Sequence, residues 1–151
     1  MGVKNLPGLI SLIRGFKSIA LDTNIFVRAL DDTTILGEKS AVLLHYIKKT
    51  NKKVYISTLV FEEFFVKVYK NQREKDTDYI IDFITFGGLA AIVDIDQEVA
   101  LSAARIRARY KLKAPDAIHL ACAISVDADS FITTDKKLPR KLGKLTVKVL
   151  S

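Results

Sequence analysis

Short apolar runs alternate with longer segments whose apolar residues recur at helical spacing, and the alternation holds along nearly the whole chain. Pro7-Gly8 precedes an amphipathic stretch from Leu9 to Phe16, which predicts a helix in front of the main body. Ser18 to Leu21 reads as a first strand, and Lys53 to Ser57, with β-favouring Val54, Tyr55 and Ile56, as a second. Between them, Asn24 to Leu30 and Leu36 to Lys49 repeat with the helical period. Thr58 to Lys70 carries Phe61, Phe64, Phe65 and Val68 at the i, i+3, i+4, i+7 spacing of an amphipathic helix. Its other apolar residues, Leu59, Val60 and Val66, predict burial nearly all round. Asp76 to Phe86 predicts a further helix that stops at Gly87-Gly88. Ala90 to Ile95 reads as a strand, and Asp96 is placed to cap a helix from Gln97 to Tyr110. Pro115 suits the first turn of a helix running to Ser125, and strands follow at Ser130 to Thr133 and Thr146 to Leu150. Strands alternating with helices predict an α/β fold, a parallel sheet covered on both faces.

Composition narrows the class without naming a function. At 151 residues, with no repeat or low-complexity linker, the chain has the length of one domain with a real core. A 49% apolar content and only three prolines exclude a disordered protein. The single cysteine excludes an internal disulfide and fits a reducing cytoplasm. Cys122 lies in an apolar helical run, as a small core residue does, and with His45 and His119 it cannot make a zinc cage. The apolar run from Leu9 to Ile13 is too short for a secretory signal, and no run approaches a membrane span. The expectation is a soluble cytoplasmic protein.

Charge adds a partner class. The net charge is +7, and eleven of the 24 basic residues lie between Arg105 and Lys148, against four acidic ones there. Arg105, Arg107, Arg109, Lys111 and Lys113 lead into Asp116, while Lys136, Lys137, Arg140 and Lys141 follow Asp135. Such a surface suits a phosphate-bearing partner, although a lysine-rich face serves solubility equally well.

Against this basic background, four acidic residues each stand just beyond an apolar segment: Asp22, Glu63, Asp116 and Asp135. Each has an ordinary reading. Asp22 suits a helix cap, Asp116 the positive end of a helix dipole, Asp135 a turn before Lys136-Lys137, and Glu63 an exposed helical charge. As a set they favour another reading, because functional groups in a parallel α/β sheet gather beyond the carboxyl ends of its strands. Carboxylates brought together there repel one another unless a divalent cation sits among them. Glu62 has the same claim as Glu63 on physical grounds.

The motifs carrying these residues resemble those of PIN-domain nucleases. Leu21-Asp22-Thr23-Asn24 is similar to their opening motif, and Ile56-Ser57 followed by Glu63-Phe64 to their second. Pro115-Asp116-Ala117-Ile118-His119-Leu120-Ala121 is similar to the third and Ile132-Thr133-Thr134-Asp135 to the fourth. The resemblance covers the chain from Ser18 onward, which makes residues 18–151 the domain and residues 1–17 an added helical segment: a lid, a dimer contact or plain packing. It implies a Rossmann-like three-layer α/β/α fold, Mg²⁺- or Mn²⁺-dependent ribonuclease activity, and Glu63 in preference to Glu62. The single-domain size and the Asp116 to Ala121 helix look most like VapC-type toxins, which implies a homodimer and an antitoxin partner. Asp22 and Asp116 are then the expected direct metal ligands, with Glu63 and Asp135 binding directly or through water. Asn24 and Thr133 are expected to orient a carboxylate, a water or a phosphate, and His119 to pack or hydrogen-bond. Two alternatives share the fold: an RNA-processing nuclease without an antitoxin, and a non-catalytic RNA-binding scaffold. A phosphate-accepting receiver domain shares the architecture and an acidic pocket, but a glutamate on the second helix and an aspartate opening a late helix do not suit it.

Overall fold

The computed structural model describes residues 6–85 and 87–151, with the backbone alone at residue 6. Met1 to Asn5 of the leading segment, and Phe86 at the predicted helix end, lie outside the described residues. The chain runs α1 (Leu6–Ile13), β1 (Ser18–Leu21), α2 (Thr23–Asp31), α3 (Ile35–Lys48), β2 (Lys53–Ser57) and α4 (Leu59–Lys70). A short 3₁₀ turn (Glu74–Asp76) leads to α5 (Thr77–Thr85) and β3 (Ala91–Val93). Then come α6 (Gln97–Tyr110), α7 (Ala114–Ser125), β4 (Ser130–Thr133), β5 (Lys141–Leu142) and β6 (Leu145–Val149).

The strands form one sheet in the order β3-β2-β1-β4-β6-β5. The first five are mutually parallel, with Ile19 beside Val54 on one side and Ser130 on the other. β5 pairs antiparallel to β6 through Leu142 and Leu145, an edge that the sequence pattern does not predict. Two residues are too few to display a period. β3 is shorter than the predicted Ala90 to Ile95, and Ile92 is 38% exposed on this edge strand.

Alternation within the strands divides the core in two. Ile19, Leu21, Val54, Ile56 and Ile132 face one layer, where they pack with Leu9, Ile25, Leu43 and Phe64 from the first helices. Ala20, Phe131 and Val147 face the other, with Val99, Ile106, Leu120 and Ala121 from α6 and α7. Full burial of a side chain such as Phe131 contributes about 1.5–3 kcal/mol. The fold is the predicted α/β class, a mostly parallel sheet with helices on both faces.

Local signals act as their chemistry requires. Asp96 caps α6 by accepting a hydrogen bond from the Val99 N–H at 2.8 Å. Pro115 stands in the first turn of α7, where its missing N–H costs nothing. α4 departs from its predicted all-round burial. Val60, Phe64, Phe65 and Val68 are buried, whereas Val66 and Tyr69 are 38% and 51% exposed. α1 folds onto the same core as the rest: Leu9 and Ile13 are buried, and the helix packs on α3.

One close approach shapes the wall of the site. Gly37, in the first turn of α3, is buried where the chain leaves α2. A Cβ there would stand 1.8 Å from the Asp32 carbonyl oxygen and 2.9 Å from that of Arg28. Only glycine lets the two helices meet at this spacing.

Candidate active site

The chain fills the sheet outward from β1, through β2 and β3 on one side and β4 on the other. The change of direction leaves a crevice beyond the carboxyl ends of β1 and β4. Asp22 follows β1 directly and is 5% exposed. It occupies the amino-cap position of α2, yet its side chain makes no capping hydrogen bond. Its Oδ2 instead accepts from Asn24 Nδ2 at 2.7 Å and from Thr133 Oγ1 at 2.6 Å. Asn24 is held in turn, its Oδ1 accepting from the Thr134 N–H at 3.1 Å and its Nδ2 reaching Thr133 Oγ1 at 3.1 Å. The capping role open to Asp22 from the sequence is therefore not the one its side chain takes.

Burial pushes the Asp22 carboxyl above the usual carboxylate range, against the opposing pull of His119 and the Thr133 hydroxyl. Asp116 is half-buried in the first turn of α7 and is raised too, first by burial and then by the charges of Asp22 and Asp135. These are carboxylates whose negative charge the fold opposes.

Glu63 joins them from α4. Its Oε1 lies 2.9 Å from His119 Nε2, and that ring is buried one turn after Asp116 on α7. His119 Nδ1 lies 2.8 Å from Ser57 Oγ at the end of β2, and Nε2 also lies 3.2 Å from Thr23 Oγ1. A carboxylate at Nε2 places the ring proton there, so in the neutral imidazole Nδ1 accepts from the Ser57 hydroxyl. His119 thus ties β2, α2, α4 and α7 together by hydrogen bonds and aims Glu63. Glu62, its neighbour, is exposed.

Asp22, Glu63 and Asp116 line one groove of about 550 Å³ with Asn24, Arg28 and Lys67. Asp135 is not among its lining residues. Its Oδ1 accepts from the Lys137 N–H at 2.8 Å, the ordinary turn-forming role, while its own N–H donates to Thr133 Oγ1 at 2.9 Å. It stands at the rim, near enough for its charge to act on Asp116.

Among the described residues, no group of three His, Cys, Asp or Glu side chains is arranged to hold a metal ion. The donors nevertheless fit one kind of ion. They are oxygens, and two are carboxylates that burial leaves short of compensation, which suits a hard divalent cation that keeps several waters. Asp22 and Asp116 would hold it.

The basic residues are distributed differently from their order in sequence. Arg105 and Arg109 line a separate cavity with Asp129, Gly143 and Lys144, at the amino ends of β4 and β6 and away from the acidic crevice. The cations in the acidic groove are Arg28 and Lys67, which sequence reasoning missed. Each lies four residues beyond a site residue, Asn24 and Glu63 respectively, and that helical spacing was the available signal. Cys122 is buried and its thiol is pushed up to about 11 by that burial, so it is an inert core residue.

Comparison with known proteins places this architecture. The fold resembles VapBC2 from Rickettsia felis bound to a promoter DNA fragment, at 20% identity and a TM-score of 0.68, covering 89% of this chain and 99% of that one. It resembles a toxin–antitoxin complex from Klebsiella pneumoniae at 24% identity and a TM-score of 0.63, covering 85% and 95%. It also resembles VapC20 of Mycobacterium tuberculosis, a toxin that cleaves the sarcin–ricin loop, at 12% identity and a TM-score of 0.61, covering 75% and 86%. At these identities the likeness establishes the fold. A comparison with curated protein sequences finds no match. The family model for the PIN domain matches residues 19–144, and the chain belongs to that family.

Proposed function

We propose that this protein is a metal-dependent endoribonuclease that hydrolyses RNA phosphodiester bonds and acts as the toxin of a toxin–antitoxin pair. The observation that carries the reading is the meeting of Asp22, Glu63 and Asp116 in one groove, two of them raised above the usual carboxylate range. A module that only bound a polyanion would gain nothing from uncompensated carboxylates. The toxin assignment is supported by the fold's likeness to toxins and toxin–antitoxin complexes.

Asp22 and Asp116 hold a Mg²⁺ or Mn²⁺ ion in this reading. When bound, such an ion acts as a Lewis acid on a phosphoryl oxygen and lowers the pKa of a bound water. The remaining work falls to the protein. Asn24 and Thr133 restrain the Asp22 carboxylate through two hydrogen bonds, so that it does not turn away to cap α2. His119 keeps Glu63 directed at the groove, where its carboxylate takes a proton from, or orders, a water. Asp135 contributes its charge from the rim. An antitoxin segment is expected to enter the groove, the protein to form a homodimer, and the cytoplasm to be its compartment. No helix among the described residues is long and apolar enough to cross a membrane. Residues 1–17 are proposed as an extension of the domain, and its described helix, Leu6–Ile13, serves by packing, since Leu9 and Ile13 are buried in the core.

The test is cleavage of a labelled RNA by the wild type with Mg²⁺, with Mn²⁺ and with chelator. Cleavage should require the metal and vanish in Asp22→Asn. Cleavage that persists in chelator, or equally in the variant, would remove the reading.

A further inference from the structure

The groove is not uniformly acidic. Arg28 stands on α2 one turn beyond Asn24, and its guanidinium is fixed on two sides. Nε donates to Thr134 Oγ1 at 3.1 Å, and Nη1 donates to Asp32 Oδ2 at 2.7 Å. Asp32 is itself immobilised, its Oδ1 accepting from the Thr34 N–H at 2.8 Å. Thr134 is tied through its N–H to Asn24, which also holds Asp22. A continuous line of hydrogen bonds therefore links the buried carboxylate to the guanidinium. Yet Arg28 is not consumed by these partners. Nη2 has no partner among the described residues, and the side chain is 38% exposed. Lys67 is exposed one helical turn after Glu63 and makes no ion pair among the described residues, although the groove it lines also holds Asp31, Asp32 and Glu63.

We infer that Arg28 and Lys67 grip the RNA backbone on either side of the acidic cluster, Arg28 by a guanidinium held in fixed orientation against a phosphate next to the one that is cut. The inference rests on the nuclease reading and adds to it the residues that position the strand. The geometry distinguishes the two cations. Arg28 is pre-oriented, so its Nη2 offers donors in a fixed direction that lose little freedom on meeting a phosphate. Lys67 is a mobile point charge and contributes attraction without orientation. Between them, a polyanion is drawn toward carboxylates that would otherwise repel it. Contacts of this kind position the backbone and carry no base preference.

Fluorescence anisotropy with a fluorescein-labelled single-stranded RNA oligonucleotide tests this, in an Asp116→Asn background that blocks cleavage. Adding Arg28→Ala should weaken binding about tenfold and reduce the salt dependence by about one charge between about 50 and 200 mM NaCl. Arg28→Lys should keep the salt dependence yet recover only part of the affinity, because a flexible ammonium lacks the guanidinium's fixed donor direction. Lys67→Gln removes an exposed charge that has no ion pair among the described residues, so it should fold normally and also reduce the salt dependence by about one charge. In the cleaving enzyme, Arg28→Lys should raise KM more than it lowers kcat, as for binding shared by ground and transition states. Unchanged affinity and salt dependence in folded Arg28→Ala would show that the guanidinium only braces Asp32. If that variant does not fold, unchanged salt dependence in Lys67→Gln overturns the two-sided grip. Absence of RNA binding by the parent at the lowest salt would remove both this inference and the nuclease reading beneath it. Loss confined to the Arg28 and Lys67 variants separates the two.

Discussion

Asp22 and Asp129 clamp the same two strands from opposite ends. Asp129 precedes β4 and reaches the start of β1, its Oδ2 accepting from the N–H groups of Lys17 and Ser18 at 2.7 and 3.0 Å. The Ser18 hydroxyl returns the contact by accepting from the Asp129 N–H at 2.9 Å. Asp22 follows β1 and reaches the end of β4, accepting from Thr133 at 2.6 Å. The outcomes are opposite. Asp129 is partly open to water, and its backbone donors hold it below the usual carboxylate range. Asp22 is buried and lies above that range. A carboxylate that only joins strands is placed where its charge is stabilised. One placed where its charge is opposed, beside two others, marks the end of the sheet at which chemistry is expected.

The contrast breaks most sharply on activity. Asp116→Asn and Asp22→Asn should each lower RNA cleavage by about 10²-fold or more, by analogy with removal of one preorganised electrostatic group. Asp129→Asn should leave the rate constant for cleavage near the wild-type value at a temperature where both proteins are folded. Comparable losses at both ends would erase the distinction.

Stability should reverse the ranking. Asp129→Ala leaves two strand-end N–H groups without their acceptor and should cost about 1–3 kcal/mol in urea unfolding. Asp22→Asn should cost little at pH 7 or even stabilise. The signs with pH differ as well. Asp129 has a depressed pKa, so its contribution is complete above the unfolded value near about 4 and is lost as pH falls through the folded one. Asp22 has a raised pKa, so the folded state loses stability as pH rises from about 4 through the folded value, and Asp22→Asn should abolish that loss. Unfolding of the two variants across pH 3 to 8 should show the wild-type differences diverging in opposite directions.

Metal binding sharpens the comparison with a smaller effect. At ten times its dissociation constant, Mg²⁺ should stabilise the folded protein by about 1.4 kcal/mol, a rise in Tm of about 3–6 °C. The rise should survive Asp129→Asn and disappear in Asp22→Asn. The smallest expected change is Ser57→Ala, which removes one restraint on the His119 ring. It should reduce cleavage about tenfold with no change in the Mg²⁺ response, consistent with loss of a group that only supports Glu63.

These two ends were unequally legible in the sequence. The strand-end position of Asp22 follows from the apolar run before it, and Asp116 from Pro115 at a helix start. Residues 18–21, 53–57 and 130–133 read as strands because their apolar character is local. On physical grounds Glu63 and Glu62 look alike because both lie on one helix turn; the motif resemblance favours Glu63, and in the structure His119 approaches it from α7. The exposed side of α4 was hidden by its aromatic content. Phe61, Phe65 and Tyr69 succeed one another along the helix with ring centroids 6.2 and 6.0 Å apart, so one aromatic row holds a half-buried, a buried and an exposed ring. Arg105 and Arg109 precede Asp116 in the chain, yet α6 delivers them to the amino ends of β4 and β6. Sequence proximity measures contour length, and a helix spends that length travelling.

Gly37 gives the crevice a property that no residue inside it determines. The hydrogen atom in place of its methyl group sets how far α3 advances against the carbonyls at the end of α2, and so where the Arg28–Asp32 pair comes to rest. A substitution there would act as a spacer inserted behind a wall. Its first symptom would be a changed calibre of the acidic groove, set by a residue that does not itself line it.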